Sequence, residues 1–221
     1  MREEAVEETA GWDAIDEALR GIHGDVEPVG DFAPEVPFMA GGEQPLDAVR
    51  VYARSDPKPH WHMIGFGLSE LYGKESDDPE LSGWGIEFSI RVARGAGEAS
   101  APQWPAVLLQ QLAKYVFAQR PFAPGHTIHV AAGTFGLEPG TGEPVPTGLA
   151  ALAFAVDPEL GELDTPHGKV TMLQIAALTE DEYAAAQGGA AAEVLAEVGQ
   201  EVPLHIVDRE RESVVFADMD W

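Results

Sequence analysis

The chain has no cysteine among its 221 residues. That excludes disulfides, thiolate metal sites and cysteine nucleophiles. Positive charge is scarce: 13 Lys and Arg stand against 38 Asp and Glu, for a formal net charge of −25. Such a field repels phosphate backbones and anionic lipid surfaces, so neither nucleic acid nor membrane is expected as a partner. It attracts a basic protein or peptide and speeds that encounter, but it also serves solubility alone. Long apolar runs are missing too, and none approaches the roughly 18 residues of a membrane span. The opening "MREEAVEETAGW" is acidic and lacks the basic-then-apolar order of a signal peptide. A cytoplasmic location is expected.

Hydrophobic residues make up 45% of the sequence, which places it among globular proteins. A chain of this length hides roughly 70% of its unfolded surface on folding. One domain over residues 1–221 is expected, with residues 1–45 as an N-terminal helix and a Pro/Gly-rich arm.

Trp12, Ile15, Leu19 and Ile22 recur at helical spacing, with acids between them. Prolines and glycines from 24 to 46 predict an ordered loop or arm. "LDAVRVYAR" alternates as a strand, with Val49, Val51 and Ala53 on one face. "HWHMIGFGLSEL" has strand character, and Gly65 and Gly67 within it predict close approach of another backbone. "GWGIEFSIRVAR" is a clearer strand: Trp84, Ile86, Phe88, Ile90 and Val92 alternate against Gly85, Glu87, Ser89 and Arg91. These two strands are expected to pair antiparallel across the acidic loop Gly73 to Gly83. "SAPQWPAVLLQQLAKYVFAQR" predicts a long helix, with Ser100 or Gln103 near its cap and Pro105 in its first turn. Its apolar stripe is read as Val107, Leu108, Leu112, Tyr115 and Val116. Strands follow at Thr127 to Val130, around Leu152, Phe154 and Val156, and at Val170 to Leu178. Thr179 and Glu182 stand at capping-box spacing before a short helix. A second helix covers Ala191 to Val198. Pro203 to Val207 and Ser213 to Phe216 read as a closing hairpin. Strands mixed with few helices define an α+β fold, a mixed, largely antiparallel sheet flanked by a few helices.

The chemistry-bearing patterns are thin. His60 and His62 lie two apart on a strand, so both rings face one side and suit a metal. A third ligand would have to come from His126, His129 or an acid, because a catalytic zinc takes three protein ligands. The competing reading puts Trp61 in the core and leaves the histidines in structural hydrogen bonds. "GTFGLEPGTGEP" lacks the Lys and Ser/Thr that complete a phosphate loop. "GFGLSEL" is not a G-x-S-x-G elbow. The acidic clusters at Glu180–Glu182 and Asp77–Glu80 read as solvated edges, the first favoured by a helix N-terminus. No catalytic residue, metal or cofactor is expected.

Four blocks in order, "PHWHMIGFGLSELYG", "SGWGIEFSIRVAR", "SAPQWPAVLLQQLAKYVF" and "TPHGKVTMLQI", resemble the Suppressor of fused domain family, from about Val49 to the C-terminus. The resemblance implies a non-enzymatic binding domain similar to the N-terminal domain of the animal proteins, as in bacterial relatives. Animal members are adaptors that restrain zinc-finger transcription factors, clamping a peptide strand between two domains. The hedgehog role does not carry over, since this chain is expected to lack the second domain. Tyr72 matches the tyrosine of the Leu-Tyr-Gly motif that lines the clamp, and Asp77, Asp78 and Glu80 stand in for the acidic contact after it. The expectation is a domain that sequesters a basic protein or peptide through Tyr72, Asp77, Asp78 and Glu80. Two alternatives stand beside it: an immunity protein that neutralises a toxin domain, and a metal protein or enzyme built on His60 and His62.

Overall fold

The structure, a computed structural model, describes residues 9–214. Its elements run α1 (Ala10–His23), β1 (Gly30–Phe32), β2 (Ala48–Arg54), β3 (His60–Phe66), β4 (Leu81–Ala93), α2 (Trp104–Ala118), β5 (Thr127–His129), β6 (Leu149–Val156), β7 (Glu162–Thr165), β8 (Gly168–Thr179), α3 (Glu180–Ala186) and α4 (Ala191–Glu201). The strands form one sheet in the order β1-β2-β3-β4-β8-β6-β5, with β7 paired to β8. Every pairing is antiparallel except β4 with β8. A parallel pair needs a long crossover, and the segment from α2 to β7 supplies it. The fold is α+β, with a mixed, mostly antiparallel sheet.

Alternation along β4 decides what each face holds. Ile86, Phe88, Ile90 and Val92 pack with Met63, Phe154 and Ile175 beneath Leu109, Leu112, Ala113 and Val116 of α2. Those four α2 positions follow the i, i+3, i+4, i+7 spacing of a buried stripe. The predicted stripe is therefore corrected by part of a turn: Val107 and Tyr115 are 53% and 44% exposed. The opposite face carries two apolar clusters. One lies under α1, through Ile15 and Leu19 against Ile64, Phe66 and Met172. The other lies under α3 and α4, through Val194, Leu195 and Val198 against Ala151, Ala176 and Leu178. With both faces covered, the polar set Glu87, Ser89 and Arg91 is buried as well.

Where β6 gives way to β7, the chain leaves the sheet and returns. Asp157 N–H donates to Met172 O at 2.8 Å, and Met172 N–H donates to Gly161 O at 2.9 Å, so β8 is bonded on both sides of the excursion. The detour swings Asp157 across β8 toward β4. Its carboxylate accepts from Arg91 at 2.7 and 3.0 Å, from Ser89 Oγ at 2.6 Å, and from the backbone of Glu159 and Leu160. β7 itself escaped the sequence reading, since "ELDT" offers no run of apolar alternation.

The closing hairpin is a second correction. Pro203–His205 forms a 3-10 turn, and Leu204 and His205 have φ of 54° and 48°, left-handed values that no strand sustains. Val207 then pairs parallel with Val92. Residues 215 and 216 of the predicted hairpin lie outside the described residues.

The capping box forms as its spacing predicts: Thr179 and Glu182 bond reciprocally at the start of α3. Glu182 is also the buried partner of Arg211, which ties the segment after α4 to this helix start.

Candidate partner-binding groove

Tyr72 lies in a groove of about 610 Å³. Its walls are Phe38 from the arm, Pro45 and Asp47 before β2, Gly67 to Gly73 with Glu75 and Ser76 after β3, Gly83 and Trp84 from β4, and Phe117 from α2. The antiparallel pairing of β2 with β3 brings the segment before β2 against the segment after β3, and Asp47 N–H donates to Phe66 O at 2.7 Å. Two glycines allow the backbones to cross so closely. Gly67 has φ +143°, and a Cβ there would sit 2.7 Å from Pro45 O. Gly83 has φ +56°, and a Cβ there would sit 2.6 Å from Leu68 O. No side chain fits either place.

The aromatic floor is ordered edge to face: Phe38 meets Phe117 at 5.1 Å between centroids, and Trp84 meets it at 5.6 Å. Tyr72 is 39% exposed. Burial first, and then the neighbouring Asp47 carboxylate, hold its phenol above the usual value. The groove's acids are Asp47, Glu70 and Glu75. Glu70 organises the acidic loop by accepting from the backbone N–H of Glu75 at 2.6 Å and of Gly83 at 3.0 Å, and from Lys74 Nζ at 3.0 Å. Burial opposes its ionisation, but those donors together with Ser76 N–H outweigh burial and bring its pKa down to about 2.

Asp77, Asp78 and Glu80 are exposed on the same loop and do not line the groove. Asp78 Oδ1 accepts from Glu80 N–H at 2.9 Å, and Glu80 O accepts from Lys169 N–H at 2.8 Å, which fixes the loop backbone while all three acidic residues stay exposed to solvent. Of the four sequence-predicted residues, the structure places only Tyr72 in the groove wall. Phe38, Asp47, Trp84 and Phe117 went unread as site residues, because they carry no local motif and are scattered over 80 residues. Glu70 was within reach, since it sits two residues before Tyr72 in "SELYG".

The histidine pair occupies different ground. His60 and His62 are wholly buried on one face of β3, while Trp61 enters the core on the other. His60 Nδ1 lies 2.7 Å from Lys58 O. His62 Nδ1 lies 3.2 Å from His23 Nε2, and its Nε2 lies 3.6 Å from Asp157 Oδ2. Burial first, and Arg91 second, push the His62 pKa down to about 3; burial and Arg54 push His23 down to about 4. His126 and His129 stand at the far edge, on and before β5, where His129 meets Glu180 at 3.0 Å. Among the described residues, no three His, Asp or Glu side chains are grouped to hold a metal. None of the described helices is long and apolar enough to cross a membrane.

Fold and groove together define an α+β domain with an open aromatic groove beside a short acidic loop. The family model "Suppressor of fused protein (SUFU)" matches residues 42–212. The human and mouse Suppressor of fused homologs are each 34% identical over 165 residues, covering 69% of this chain and 32% of their own length. The chain thus spans about a third of the curated relatives it matches. The crystal structure of a Sufu–Fu complex superposes with a TM-score of 0.81 at 27% identity over 93% of both chains. Drosophila Suppressor of Fused gives 0.81 at 28% identity, covering 97% of this chain and 54% of that one. A Neisseria gonorrhoeae homolog, at 13% identity, shares the fold with a TM-score of 0.60, covering 92% of this chain and 96% of that one. The chain belongs to the Suppressor of fused protein family.

Proposed function

We propose that this domain is a non-catalytic binding module that holds a basic segment of another protein in the Tyr72 groove. The observation that carries the reading is the groove itself, with Phe38, Tyr72, Trp84 and Phe117 presented beside Asp47, Glu70 and Glu75. Aromatic side chains with one polar end supply contact area at low entropic cost. Asp77, Asp78 and Glu80 supply the outer steering charge, backed by a net charge of −25. A relative solved as a Sufu–Fu complex supports a protein as the occupant. The outer strands β1 and β5 are three residues each and do not line the groove, so the groove rather than a free sheet edge takes the segment.

Partner capture from the native cell, followed by binding kinetics on the captured protein, tests this. Tyr72→Ala is expected to weaken binding by about tenfold or more, the loss typical of a central aromatic anchor. Neutralising Asp77, Asp78 and Glu80 together is expected to slow association at low salt, with the difference shrinking near 1 M salt, where screening reaches ~3 Å. Binding that is indifferent to Tyr72→Ala and to salt overturns the proposal.

A further inference from the structure

Glu87 lies behind the groove wall, wholly buried on the α1 face of β4. Its Oε1 accepts four hydrogen bonds: from the N–H groups of Gly67, Leu68 and Ser69 at 2.8, 2.9 and 2.9 Å, and from Ser69 Oγ at 2.7 Å. Its Oε2 is buried with no partner. Gly67, Leu68 and Ser69 are groove-lining residues, and Leu68 O accepts from Trp84 N–H at 2.9 Å, so one carboxyl oxygen sets the position of a whole wall. The same carboxyl is half satisfied, which makes its charged form expensive to keep dry.

We propose that Glu87 is the positioning residue of the groove, and that its charge state couples the Gly67–Ser69 wall to pH: the wall is closed over the neutral acid and admits water when the acid ionises. The surroundings leave the charge no other relief. β8 places Met172 beside Glu87, and the cluster on this face includes Ile15, Leu19, Ile64, Phe66, Val170 and Met172, with Tyr52 of β2 stacked on His23. The charged groups of the packed elements are engaged elsewhere. Arg91 on β4 is closed on Asp157 and Glu159, His62 on β3 faces His23 and Asp157, Asp16 of α1 pairs with Arg50, and Glu70 of the loop pairs with Lys74. Burial, opposed by the four donors, pushes the Glu87 pKa up to about 7. A closed form that holds its proton more tightly than an open one must loosen as pH rises. The consequence for a partner rests on the groove being the binding face; the coupling of Glu87 to the wall does not.

Amide NMR of the free protein reads the coupling without any partner, so its failure is distinct from a failure of the binding proposal. The Gly67, Leu68 and Ser69 amides are expected to titrate with one midpoint near neutrality. Their exchange protection should fall by up to roughly tenfold per pH unit between about 4.5 and that midpoint, the limit for one linked proton, and level off above it. Glu87→Gln keeps an acceptor oxygen and abolishes the titration. Ser69→Ala removes one donor, leaves Glu87 in place and moves the midpoint upward, which decides the matter even if Glu87→Gln does not fold. Amides that do not titrate together, that titrate unchanged in Glu87→Gln, or whose midpoint ignores Ser69→Ala overturn the proposal.

Discussion

Arg91 is the bulkiest side chain among those fully buried in the described residues. A lone guanidinium could not persist there, and its position is explained by Asp157, Glu159 and the amide oxygen of Gln174, which accepts at 2.7 Å. Gln174 in turn donates to Leu204 O at 2.6 Å, so the left-handed turn after α4 is held by the same network. Asp157→Ala takes the two-point partner from buried Arg91, leaving it Glu159 and the Gln174 oxygen, and is expected to cost ~3 kcal/mol in urea unfolding, the low end for a broken buried pair. Pairing Arg91→Met with Asp157→Leu removes both charges and should cost less than Asp157→Ala alone. A double replacement that costs more than the single one would show that the network contributes net stability rather than register.

At the scale of elements, α1 is joined to the groove through its first turn. It has no side-chain N-cap; instead the N–H groups of Gly11 and Trp12 donate to Leu71 O at 3.0 and 3.1 Å. Those donors need a partner at a helix start, and the residue before Tyr72 provides it. Gly11 is the contact point, since a Cβ there would lie 2.0 Å from Glu70 O. Arg50 of β2 pins the other side, stacking over Trp12 and Phe66 and pairing with Asp16. Gly11→Ala is expected to destabilise the fold by ~1–3 kcal/mol, as overpacking does. It should also move the Glu70–Tyr72 loop, visible as shifted Tyr72 resonances. An unshifted loop would mean that α1 docks independently of the groove.

For the whole molecule, acid response follows from what the second face buries. In the unfolded chain histidine takes a proton near 6.5, but burial delays this to about 4 for His23 and about 3 for His62. His60 and His205 shift the same way, again led by burial. Between these values the unfolded chain binds more protons, so unfolding free energy rises with pH. Glu87 acts with the opposite sign: unfolded it titrates near 4.5 and folded near 7, so its contribution is full below 4.5 and is lost as pH rises through 7. Four histidines outweigh one carboxyl. Urea midpoints at pH 4.5, 5.5 and 6.5 are therefore expected to climb, and to climb more steeply in Glu87→Gln. A flat profile would refute the histidine assignment.

The helices around Ile15, Leu109 and Val194, the alternating strands, the capping box at Thr179, the acid excess and the family signature are all legible in the amino-acid order. These are local: periodicity and cap chemistry act within a few residues of chain. Alternation says which side chains of β4 share a face, but not what covers that face, so the burial of Glu87, Ser89 and Arg91 was left to α1, α3 and α4. The groove is likewise a product of pairing register. Asp47 meets Gly67, and both line one groove with Trp84 and Phe117, only because β2, β3 and β4 lie side by side with α2 packed on them. The turn at Leu204 was unreadable for the same reason, since its left-handed backbone is held by a hydrogen bond from Gln174, 30 residues earlier. Tertiary structure alone decided these features, because each depends on contacts between segments whose spacing in the chain carries no periodic signal.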